Sequence, residues 1–246
     1  MKQLVVAVRT DRGKQRARNE DRAAAVAIPG APSPGVVALV CDGMGGEAGG
    51  EIASSVASEE IVSMLSAIWP AASTEEALVD SVQAASHRVK ALARADDRYG
   101  RMGTTATVAA FAEGSLVCAQ VGDSRAYLLR DGHLKQVTRD QSLVELLRDQ
   151  GVDVANADVP TNVILQAVGS STRLDVVITK TELREGDVVM LCSDGVFGVL
   201  SDAIIEHVLA TCSDPSEAAE ALIAKANDEG GPDNITCVVA HVTVTR

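Results

Sequence analysis

The sequence predicts an α+β fold in which two β-sheets pack together and helices cover them from outside. Apolar, strand-like runs cluster along the chain, and segments with apolar residues at three-to-four spacing flank them. The length of 246 residues and the hydrophobic content of 46% suit one large domain. Because neither repeats nor linkers stand out, we expect residues 1–246 to form a single domain.

The first third of the chain predicts two strands and two helices. Residues 3–8 are typical of a short strand, and the continuous apolar run 36–41 is typical of a strand buried on both faces. Residues 53–68 carry apolar side chains at helical spacing, and Ser73 with Glu76 forms a capping box that opens a second helix. The charged or glycine-rich segments between them predict turns and loops at residues 10–21, 29–35 and 43–50.

The middle of the chain changes to a strand-like pattern. Asp131-Gly132 predicts a hairpin turn, and residues 142–150 predict a short helix ended by Gly151. Residues 152–169 have weak periodicity and predict a mobile surface insert. The strand-like runs here are residues 104–111, 116–121 and 125–129.

The last third predicts two strands with two helices between them. Residues 188–192 are an apolar strand, and residues 234–244 form the final strand. Ser201 and Asp214 each predict the start of a helix, and Pro215 takes the first helical position of the second.

Composition excludes two classes of partner. The net charge of −12 argues against binding nucleic acid or an anionic membrane, because both would be repelled. Aromatic residues make up 2%, which leaves no platform for stacking bases. No run approaches the ~20 apolar residues of a membrane span. We therefore expect no nucleic-acid and no membrane partner.

The five cysteines predict a reduced protein. Their number is odd and none forms a C-x-x-C pair. Most lie in or beside apolar runs, where a free cysteine acts as a small hydrophobic residue. The N-terminus lacks the pattern of a signal peptide, and we expect a cytoplasmic location.

Acidic residues stand at the ends of several predicted strands. Asp42 and Asp194 each end an apolar run and precede a glycine. Asp123 follows a third run, and Asp233 precedes the last strand. A single aspartate in such a place is usually a turn or cap residue. Four of them would converge if the strands are neighbours, and the pair at 20–21 follows the first strand.

Converging carboxylates indicate a cation site. They repel one another, and their pKa values rise unless cations lie among them. Oxygen ligands suit Mg²⁺ or Mn²⁺ rather than zinc or copper, and metals ~3.5–4 Å apart are the usual arrangement for phosphoryl hydrolysis. The glycine-rich residues 42–50 do not indicate a nucleotide site, because Gly-Lys-Ser/Thr and a helix-opening G-x-G-x-x-G are both lacking.

Together these motifs resemble the metal-dependent protein phosphatases (the PPM family, type 2C) in their compact bacterial form. Each piece is short, but they follow the order of the family and span nearly the whole chain. The pieces are Arg-Ala-Arg-Asn-Glu-Asp at 16–21, Asp-Gly-Met-Gly-Gly at 42–46, Gly-Thr-Thr at 103–105, Gly-Asp-Ser-Arg at 122–125, Ser-Asp-Gly at 193–195 and Asp-Asn at 233–234.

The resemblance implies a central β-sandwich of two mainly antiparallel sheets, flanked by helices on both outer faces (αββα). It also implies two, or with a weaker site three, Mn²⁺ or Mg²⁺ ions. Asp42 would bridge the first two ions, and Asp123 would join Asp194 at the third. The implied metal-binding residues are Glu20, Asp42, Gly43 through its carbonyl, Asp123, Asp194 and Asp233.

The activity that the resemblance implies is hydrolysis of phosphoserine and phosphothreonine on other proteins. A water that bridges the metals would attack phosphorus directly, without a phosphoenzyme. Asp21 would orient metal-bound water, and Arg16 would bind the substrate phosphate through its planar guanidinium. The catalytic set is then Arg16, Asp21, Asp42 and Asp194. The expected partners are phosphorylated substrates of a cognate bacterial Ser/Thr kinase, and the expected state is a monomer.

Two positions depart from the family pattern. Met44 stands where many relatives from higher organisms carry a histidine that is a proposed general acid. Methionine cannot donate a proton, so the leaving oxygen must be protonated by another group, for which metal-bound water is our hypothesis. Gln141 stands where relatives often have histidine, just before the expected flap at residues 142–169.

Alternative interpretations differ in what they require. A catalytically silent phosphoprotein-binding regulator should have lost metal carboxylates, whereas all of the implied ones are present. A structural Ca²⁺ site should show Asp-x-Asp-x-Asp spacing, and the acids here are far apart. Arg16 alone would be an ordinary surface charge, and only its offset from residues 19–21 favours phosphate binding. For residues 103–105 a tight turn and a role near the metals are equally open, and Asp140 is interpreted as a turn residue.

Overall fold

Two antiparallel sheets form the centre of the protein. The computed structural model describes residues 2–32, 34–45, 49–69, 71–154, 156–157, 159–160, 162–171 and 173–244. The first sheet contains, in spatial order, β1 (Lys2–Asp11), β11 (Ile235–Val244), β10 (Val188–Cys192), β7 (Arg125–Arg130) and β8 (His133–Gln136). The second contains β2 (Asp21–Ala27), β3 (Pro34–Met44), β5 (Ala106–Ala112), β6 (Ser115–Val121) and β9 (Val177–Glu182), and β4 (Gly103–Thr104) pairs with the end of β3.

Helices cover the outer face of each sheet. Apolar side chains of α1 (Gly49–Ile68) and α2 (Thr74–Ala95) pack on the second sheet. The first sheet is covered by α4 (Asp194–Phe197), α5 (Asp202–Thr211) and α6 (Pro215–Asp228). The short α3 (Leu143–Asp149) belongs to the insert. This order of layers confirms the predicted αββα sandwich.

The hydrophobic core is divided into three layers by the two sheets. Between the sheets, Phe111 and Leu116 of the second sheet meet Leu191 of the first, and all three are fully buried. Separate clusters lie beneath the two helical layers. Each large aliphatic side chain buried in this way contributes roughly 1.5–3 kcal/mol relative to exposure, so aliphatic burial supplies a core that has few aromatics.

Several elements begin and end where the sequence predicts. Ser73 and Glu76 form the reciprocal capping box of α2. Asp214 caps α6 through its side chain, which accepts hydrogen bonds from two backbone amides of the first turn. Asp131 and Gly132 both have positive φ (52° and 79°) between β7 and β8, as a two-residue hairpin turn requires.

Other boundaries were predicted wrongly. β1 continues past residue 8 to Asp11, because its last residues still pair with β11. β2 was missed, since its alanine-rich sequence has little strand propensity and its pairing with β3 decides its conformation. β9 was missed as well. The glycine-rich loop is shorter than predicted, because Gly43 and Met44 belong to β3 and α1 begins at Gly49; residues 46–48 lie outside the described residues.

Beyond α3 the insert has little regular structure. The short helix predicted at residues 142–150 is α3, which Ser142 caps, and Gly151 follows its end with φ of 79°. Two isolated bridges hold the insert to the sandwich, Ser142 with Ile164 and Thr104 with Val168. Its mobility stays a prediction, and residues 155, 158 and 161 lie outside the described residues.

Two predictions about the chain as a whole can be compared with the structure. Among the described residues no helix combines the length and the apolar character needed to cross a bilayer. All five cysteines are free thiols, and the Cys41, Cys118, Cys192 and Cys237 side chains are buried.

Candidate active site

The ends of strands from both sheets surround a polar cleft at one end of the sandwich. Asp21 lies opposite Asp42 in the β2–β3 pair, and Cys192 lies opposite Cys237 where β10 and β11 pair. These registers bring the chain segments after β3 and β10 and before β2 and β11 to the same end. The cleft has a volume of about 410 Å³, and its lining includes Arg16, Glu20, Asp42, Gly43, Met44, Thr105, Asp123, Asn162, Ile164, Asp194, Asp233 and Asn234.

The Gly-Thr-Thr motif holds the backbone of Asp42. The Thr104 hydroxyl donates to the Asp42 carbonyl (2.8 Å), and the Thr105 amide donates to the same oxygen (2.9 Å). In return the Asp42 amide donates to the Thr105 hydroxyl (2.9 Å). These bonds favour the second of the two readings of this motif, a role beside the site, because both threonines fix the position from which Asp42 enters the cleft.

Gly43 lies where three backbone segments meet. A Cβ added there would stand 2.1 Å from the Gly50 carbonyl oxygen and 2.5 Å from that of Glu20. Ser54 of α1 donates from its hydroxyl to the same Glu20 carbonyl (2.5 Å). The glycine following Asp42 therefore allows α1 and the Glu20 loop to approach β3 closely.

Asn234 organises the loop that carries Arg16 and Glu20. Its side-chain oxygen accepts from the Glu20 amide (2.8 Å), and its amide nitrogen donates to the carbonyls of Arg12 and Arg18 (both 2.8 Å). Sequence reasoning assigned Asn234 no role. Its position beside Asp233 and its burial to 6% exposure mark it as the residue that shapes this loop.

Asp21 is a buried carboxyl behind the cleft. Its Oδ2 accepts from the Ser193 hydroxyl (2.7 Å), and its Oδ1 is buried without a hydrogen-bond partner among the described atoms. Burial raises the pKa of Asp21 to about 7, and bonds from hydroxyl groups lower it in part. Because Ser193 directly precedes Asp194, this contact links the first loop to the end of β10.

Arg16 and Asp233 form an ion pair at the cleft. Arg16 Nη2 lies 2.6 Å from Asp233 Oδ2, and Asp233 Oδ1 accepts from the Asn234 amide (2.8 Å). The sequence interpretation assigned Arg16 to a phosphate and Asp233 to a metal. The structure brings both residues into the cleft and pairs them with each other. A phosphate bound to Arg16, or a metal ion bound to Asp233, would therefore compete with this contact.

Burial and mutual repulsion disfavour the ionised form of the carboxyls in the cleft. Burial raises the pKa of Asp42, and the charges of Asp21 and Asp194 raise it further. The pKa of Asp194 is raised by burial and by Asp233. Burial raises the pKa of Asp123 to about 7, with Asp194 the next cause. A cation bound among these carboxyls would supply compensating positive charge and so favour their ionised form.

The increase in the pKa of Glu20 is partly offset by a nearby positive charge. Its pKa is raised by burial, but the nearby charge of Arg16 acts in the opposite direction. Arg16 therefore serves as a cation that two cleft acids, Glu20 and Asp233, share in the protein alone.

Gln141 connects Asp123 to the insert. Its side-chain oxygen accepts from the Gly122 amide (2.8 Å), and its own amide donates to the Gly122 carbonyl (2.9 Å). Its side-chain nitrogen donates to the Asp175 carbonyl (2.9 Å), and its carbonyl accepts from the Leu165 amide (2.7 Å). The residue that departs from the family pattern thus ties the Asp123 turn to the later part of the insert and to the segment that follows it.

Asp140 has a role beyond that of the predicted turn residue. It binds Arg125 through both carboxylate oxygens, with a shortest contact of 2.7 Å, and it accepts from the Gln136 side chain (2.8 Å). The Arg125 guanidinium also lies 3.8 Å from the Phe197 ring centre. This network fixes the start of β7, two residues after Asp123.

Met44 lines the cleft, and none of the described lining residues is a histidine. We therefore keep the expectation that a leaving group in this cleft is protonated by a group other than residue 44.

The donor set fits divalent cations held with water. Among the described residues no three His, Cys, Asp or Glu side chains are grouped closely enough to enclose an ion by themselves. Mg²⁺ and Mn²⁺ are commonly held by one or two carboxylates, carbonyl oxygens and several waters, for which an open cleft leaves room. The orphaned Asp21 Oδ1 and the mutually raised pKa values are the observations that favour added cations.

Comparisons with known proteins agree with this geometry. The sequence profile of the family "Protein phosphatase 2C" matches residues 10–225. A Listeria innocua relative, "Serine/threonine phosphatase stp", is 34% identical over 95% of this chain and 94% of its own length. Mycobacterium tuberculosis "Serine/threonine protein phosphatase PstP" is 37% identical over 97% of this chain, which spans 45% of that protein. The catalytic domain of PstP, solved in complex with two manganese ions, superposes with a TM-score of 0.87 at 36% identity and covers 99% of this chain and all of that one.

The matched profile covers most of the chain, and the fold, the order of the motifs and the acidic cleft agree with it. This chain belongs to the protein phosphatase 2C family of metal-dependent protein serine/threonine phosphatases.

Proposed function

We propose that the protein hydrolyses phosphoserine and phosphothreonine in other proteins at the cleft between the strand ends. The observation that carries this proposal is the set of carboxyls from five separate chain segments that meet there, four of which, Glu20, Asp42, Asp123 and Asp194, have raised pKa values. A site with this charge binds cations, and a phosphate can then be bound through them. Relatives named as serine/threonine phosphatases support the substrate class.

Two Mn²⁺ or Mg²⁺ ions are the proposed cofactors, with a third weaker one. Asp42, Glu20 and the Gly43 carbonyl would hold the first ion, while Asp194 and Asp233 would join Asp42 at the second. Asp123 would hold the third with Asp194. When bound, paired divalent cations supply activation of water for direct attack on phosphorus and neutralise the charge that develops there.

The chain's own residues position the reactants. Arg16 exposes 53% of its side chain at the cleft, so its guanidinium can exchange Asp233 for two oxygens of the substrate phosphate. Asp21 presents its unpartnered Oδ1 from behind the cleft, where it can accept a proton or a hydrogen bond from water. Asn234 and the two threonines keep the Glu20 loop and Asp42 in place.

Protonation of the leaving serine or threonine oxygen is assigned to solvent in the cleft. Met44 carries no proton to donate, and the described lining has no histidine. Water ordered by the cations is the donor that we propose, as the sequence suggested.

Further proposals concern the setting of the enzyme. A cognate Ser/Thr kinase would supply its substrates, the protein would act as a monomer, and residues 142–169 would form a flap within a single domain. A cytoplasmic location is supported by the five free cysteines. A catalytically silent regulator is not favoured, because no metal carboxylate has been lost.

The test is hydrolysis of a phosphothreonine peptide in EDTA, Mg²⁺ or Mn²⁺, by wild type and by Asp42→Asn. We expect turnover that needs a cation and falls by roughly 100- to 1,000-fold in the variant, a size typical for loss of a central electrostatic group. Asp228→Asn, an exposed acid of α6, is the matched control and should retain full activity. Folded wild type that shows no cation-dependent turnover would disprove the proposal and favour the silent regulator.

A further inference from the structure

A cationic groove lies between α2 and the segment that follows the insert. It has a volume of about 450 Å³ and is separate from the catalytic cleft. The lining residues of α2 include Gln83, His87 and Lys90, which share one helical face at spacings of four and three. Arg173 reaches the same groove from the other side, with residues 174–176.

The charge of this surface is opposite to that of the protein. The chain has a net charge of −12, yet residues 81–95 contain three arginines or lysines, one histidine and no acid. The helix dipole accounts for Arg94, the basic residue in the last turn of α2, but not for Lys90 further back or for Arg173 on another segment.

The basic side chains of the groove have no ionic partners in the part of the chain that the structure describes. Among the described residues, neither Lys90 nor Arg173 takes part in an ion pair, although ten other pairs are formed. Among the described residues the lining of the groove contains one acid, Asp175. Its backbone carbonyl accepts a hydrogen bond from the Gln141 side chain, and its backbone amide donates one to the Gln166 side chain. Two fixed cations against one anion leave the groove positive.

The groove is joined to the catalytic cleft by a short chain of contacts. Ser86, in the groove lining, accepts a hydrogen bond from the Gly169 amide (3.1 Å). Next in sequence, Ser170 packs on Gly103, where an added Cβ would be 3.2 Å from its hydroxyl. Gly103 pairs with Met44, which lines the cleft. Because an extended peptide advances only ~3.3–3.6 Å per residue, a substrate held at the cleft would reach the groove with residues several positions from the phosphorylated one.

We propose that this groove binds acidic residues of the substrate protein, about four to seven positions from its phosphorylated residue. The inference rests on the proposed phosphatase activity and specifies which phosphoproteins are preferred. Charge complementarity carries it: Lys90 and Arg173 can pair with carboxylates, and His87 and Gln83 can donate hydrogen bonds to them. The catalytic cleft recognises the phosphate, whereas the groove would recognise the residues around it and so give a preference for acidic substrate sequences.

The experiment compares two phosphothreonine peptides that differ only in acidic or glutamine residues four to seven positions from the phosphothreonine on both sides. We expect wild type to favour the acidic peptide by roughly 3- to 30-fold in kcat/KM, mainly through KM, as two exposed ion pairs would provide. The preference should shrink in high salt. Lys90→Glu/Arg173→Glu should abolish it, while hydrolysis of p-nitrophenyl phosphate is unchanged.

The matched control is Arg184→Glu/Lys225→Glu, which changes the net charge equally at two exposed positions away from the groove. Lys90→Gln/Arg173→Gln serves as a second variant that avoids new repulsion and should also lose the preference. Equal kcat/KM for both peptides in wild type, or an equal loss in the matched control, would overturn the inference. So would binding of phosphatidylserine vesicles in place of peptide.

A binding measurement separates this inference from the proposed activity. Fluorescence anisotropy of the labelled acidic peptide without phosphate should show binding to wild type and weaker binding to Lys90→Glu/Arg173→Glu, in EDTA as well as in Mn²⁺. If no peptide is hydrolysed but this difference is present, the activity is wrong and the groove is right. If hydrolysis occurs without any such difference, the groove is wrong and the activity stands.

Discussion

Arg16 is paired with Asp233 in the protein alone and with phosphate in the proposed substrate complex. In the protein alone it pairs with Asp233, and over half of its side chain remains exposed. A phosphate that replaces Asp233 would gain a bidentate, charge-assisted contact and release the carboxylate. Both consequences would favour the same bound state, which would give this exposed ion pair a function although most such pairs are energetically minor.

Replacement of Arg16 tests this exchange. Arg16→Ala should lower kcat/KM for a phosphothreonine peptide by roughly 10- to 100-fold, the worth of a hydrogen bond to a charged group. Inhibition by inorganic phosphate should weaken by a similar factor. Arg18→Ala, an exposed arginine of the same loop without an ion pair among the described residues, is the control. Phosphate inhibition that is unchanged in Arg16→Ala would remove this residue from the phosphate site.

Asp123 gives the metal-free protein a pH dependence with a defined sign. Its pKa in the folded chain is about 7, above the ordinary value of 3.8, because of burial and of Asp194. The folded state therefore binds the proton more tightly than the unfolded state. Its contribution to stability is complete below about pH 4 and is lost as the pH rises through about 7.

Asp123→Asn removes this contribution without changing the shape of the side chain. In EDTA the variant should gain about 1–3 kcal/mol over wild type between pH 4 and pH 8, a range reduced because Asp123 is partly exposed. Urea unfolding at both pH values measures it. In Mn²⁺ the advantage should diminish or reverse. A constant difference across the pH range in EDTA would show that Asp123 does not carry the raised pKa.

Site residues could be predicted when the adjacent sequence marks them, and were missed when their role depends on a partner far away in the chain. Asp42 and Asp194 end apolar strands, and this pattern is visible in a single sequence. Asn234 acts by binding Glu20, which is 214 residues away in the chain. Ser193 acts by binding Asp21, which is 172 residues away. Nothing in the local sequence indicates such a partner, so only the folded chain identifies these supporting residues.

At the scale of an element, Gln141 holds the insert against the turn between β6 and β7. Gln141→Ala leaves the buried Gly122 amide without its acceptor, which costs about 1–3 kcal/mol locally. We expect faster hydrogen exchange at Gly122 and Leu165 and a roughly 10-fold lower kcat/KM. Gln150→Ala, the same change at the end of α3, should have neither effect, since the Gln150 side chain makes no hydrogen bond among the described residues. Unchanged exchange in Gln141→Ala would show that the insert is held elsewhere.

Gly43 determines how closely α1 approaches β3. In Gly43→Ala the new Cβ would meet backbone carbonyls at 2.1 and 2.5 Å, and backbone cannot rotate away as a side chain can. We expect a loss of roughly 2–4 kcal/mol in unfolding free energy, in the range for overpacking and backbone strain. Gly100→Ala, with its nearest atom at 3.4 Å and a helical φ, is the control and should unfold within about 0.5 kcal/mol of wild type. Equal stability of both variants would contradict this account.

Elements with strong patterns were predicted, and those that depend on their neighbours were not. The apolar run of β3 and the capping box of α2 are local signals, and both are confirmed. β2 consists mostly of alanine and becomes a strand because β3 offers a complete register beside it. β9 is an edge strand of alternating, half-exposed residues, so its sequence alone is close to that of a loop.

At the scale of the whole molecule, the cleft joins the two sheets at one end. Asp42 comes from the second sheet, Asp194 and Asp233 flank strands of the first, and Asp123 lies in the turn that passes between them. Between the sheets the contacts are apolar, whereas at this end like charges face one another. Metal-free protein therefore has one end of its sandwich held by packing and the other weakened by repulsion.

Cations should reverse that asymmetry, since ions shared by carboxyls of both sheets connect them. Addition of Mn²⁺ at about 100 times its dissociation constant should stabilise the fold by about 2.7 kcal/mol, or roughly 5–10 °C in Tm. Hydrogen exchange should slow at residues 12–21, 122–124, 193–198 and 231–235 around the cleft. Exchange should stay unchanged at the opposite end, in the β5–β6 turn and at residues 184–187. Asp194→Asn, which removes one carboxylate, should show a smaller Tm shift. Uniform slowing over the whole sandwich would indicate general stabilisation without a link between the sheets, because a local link protects chiefly the segments it joins.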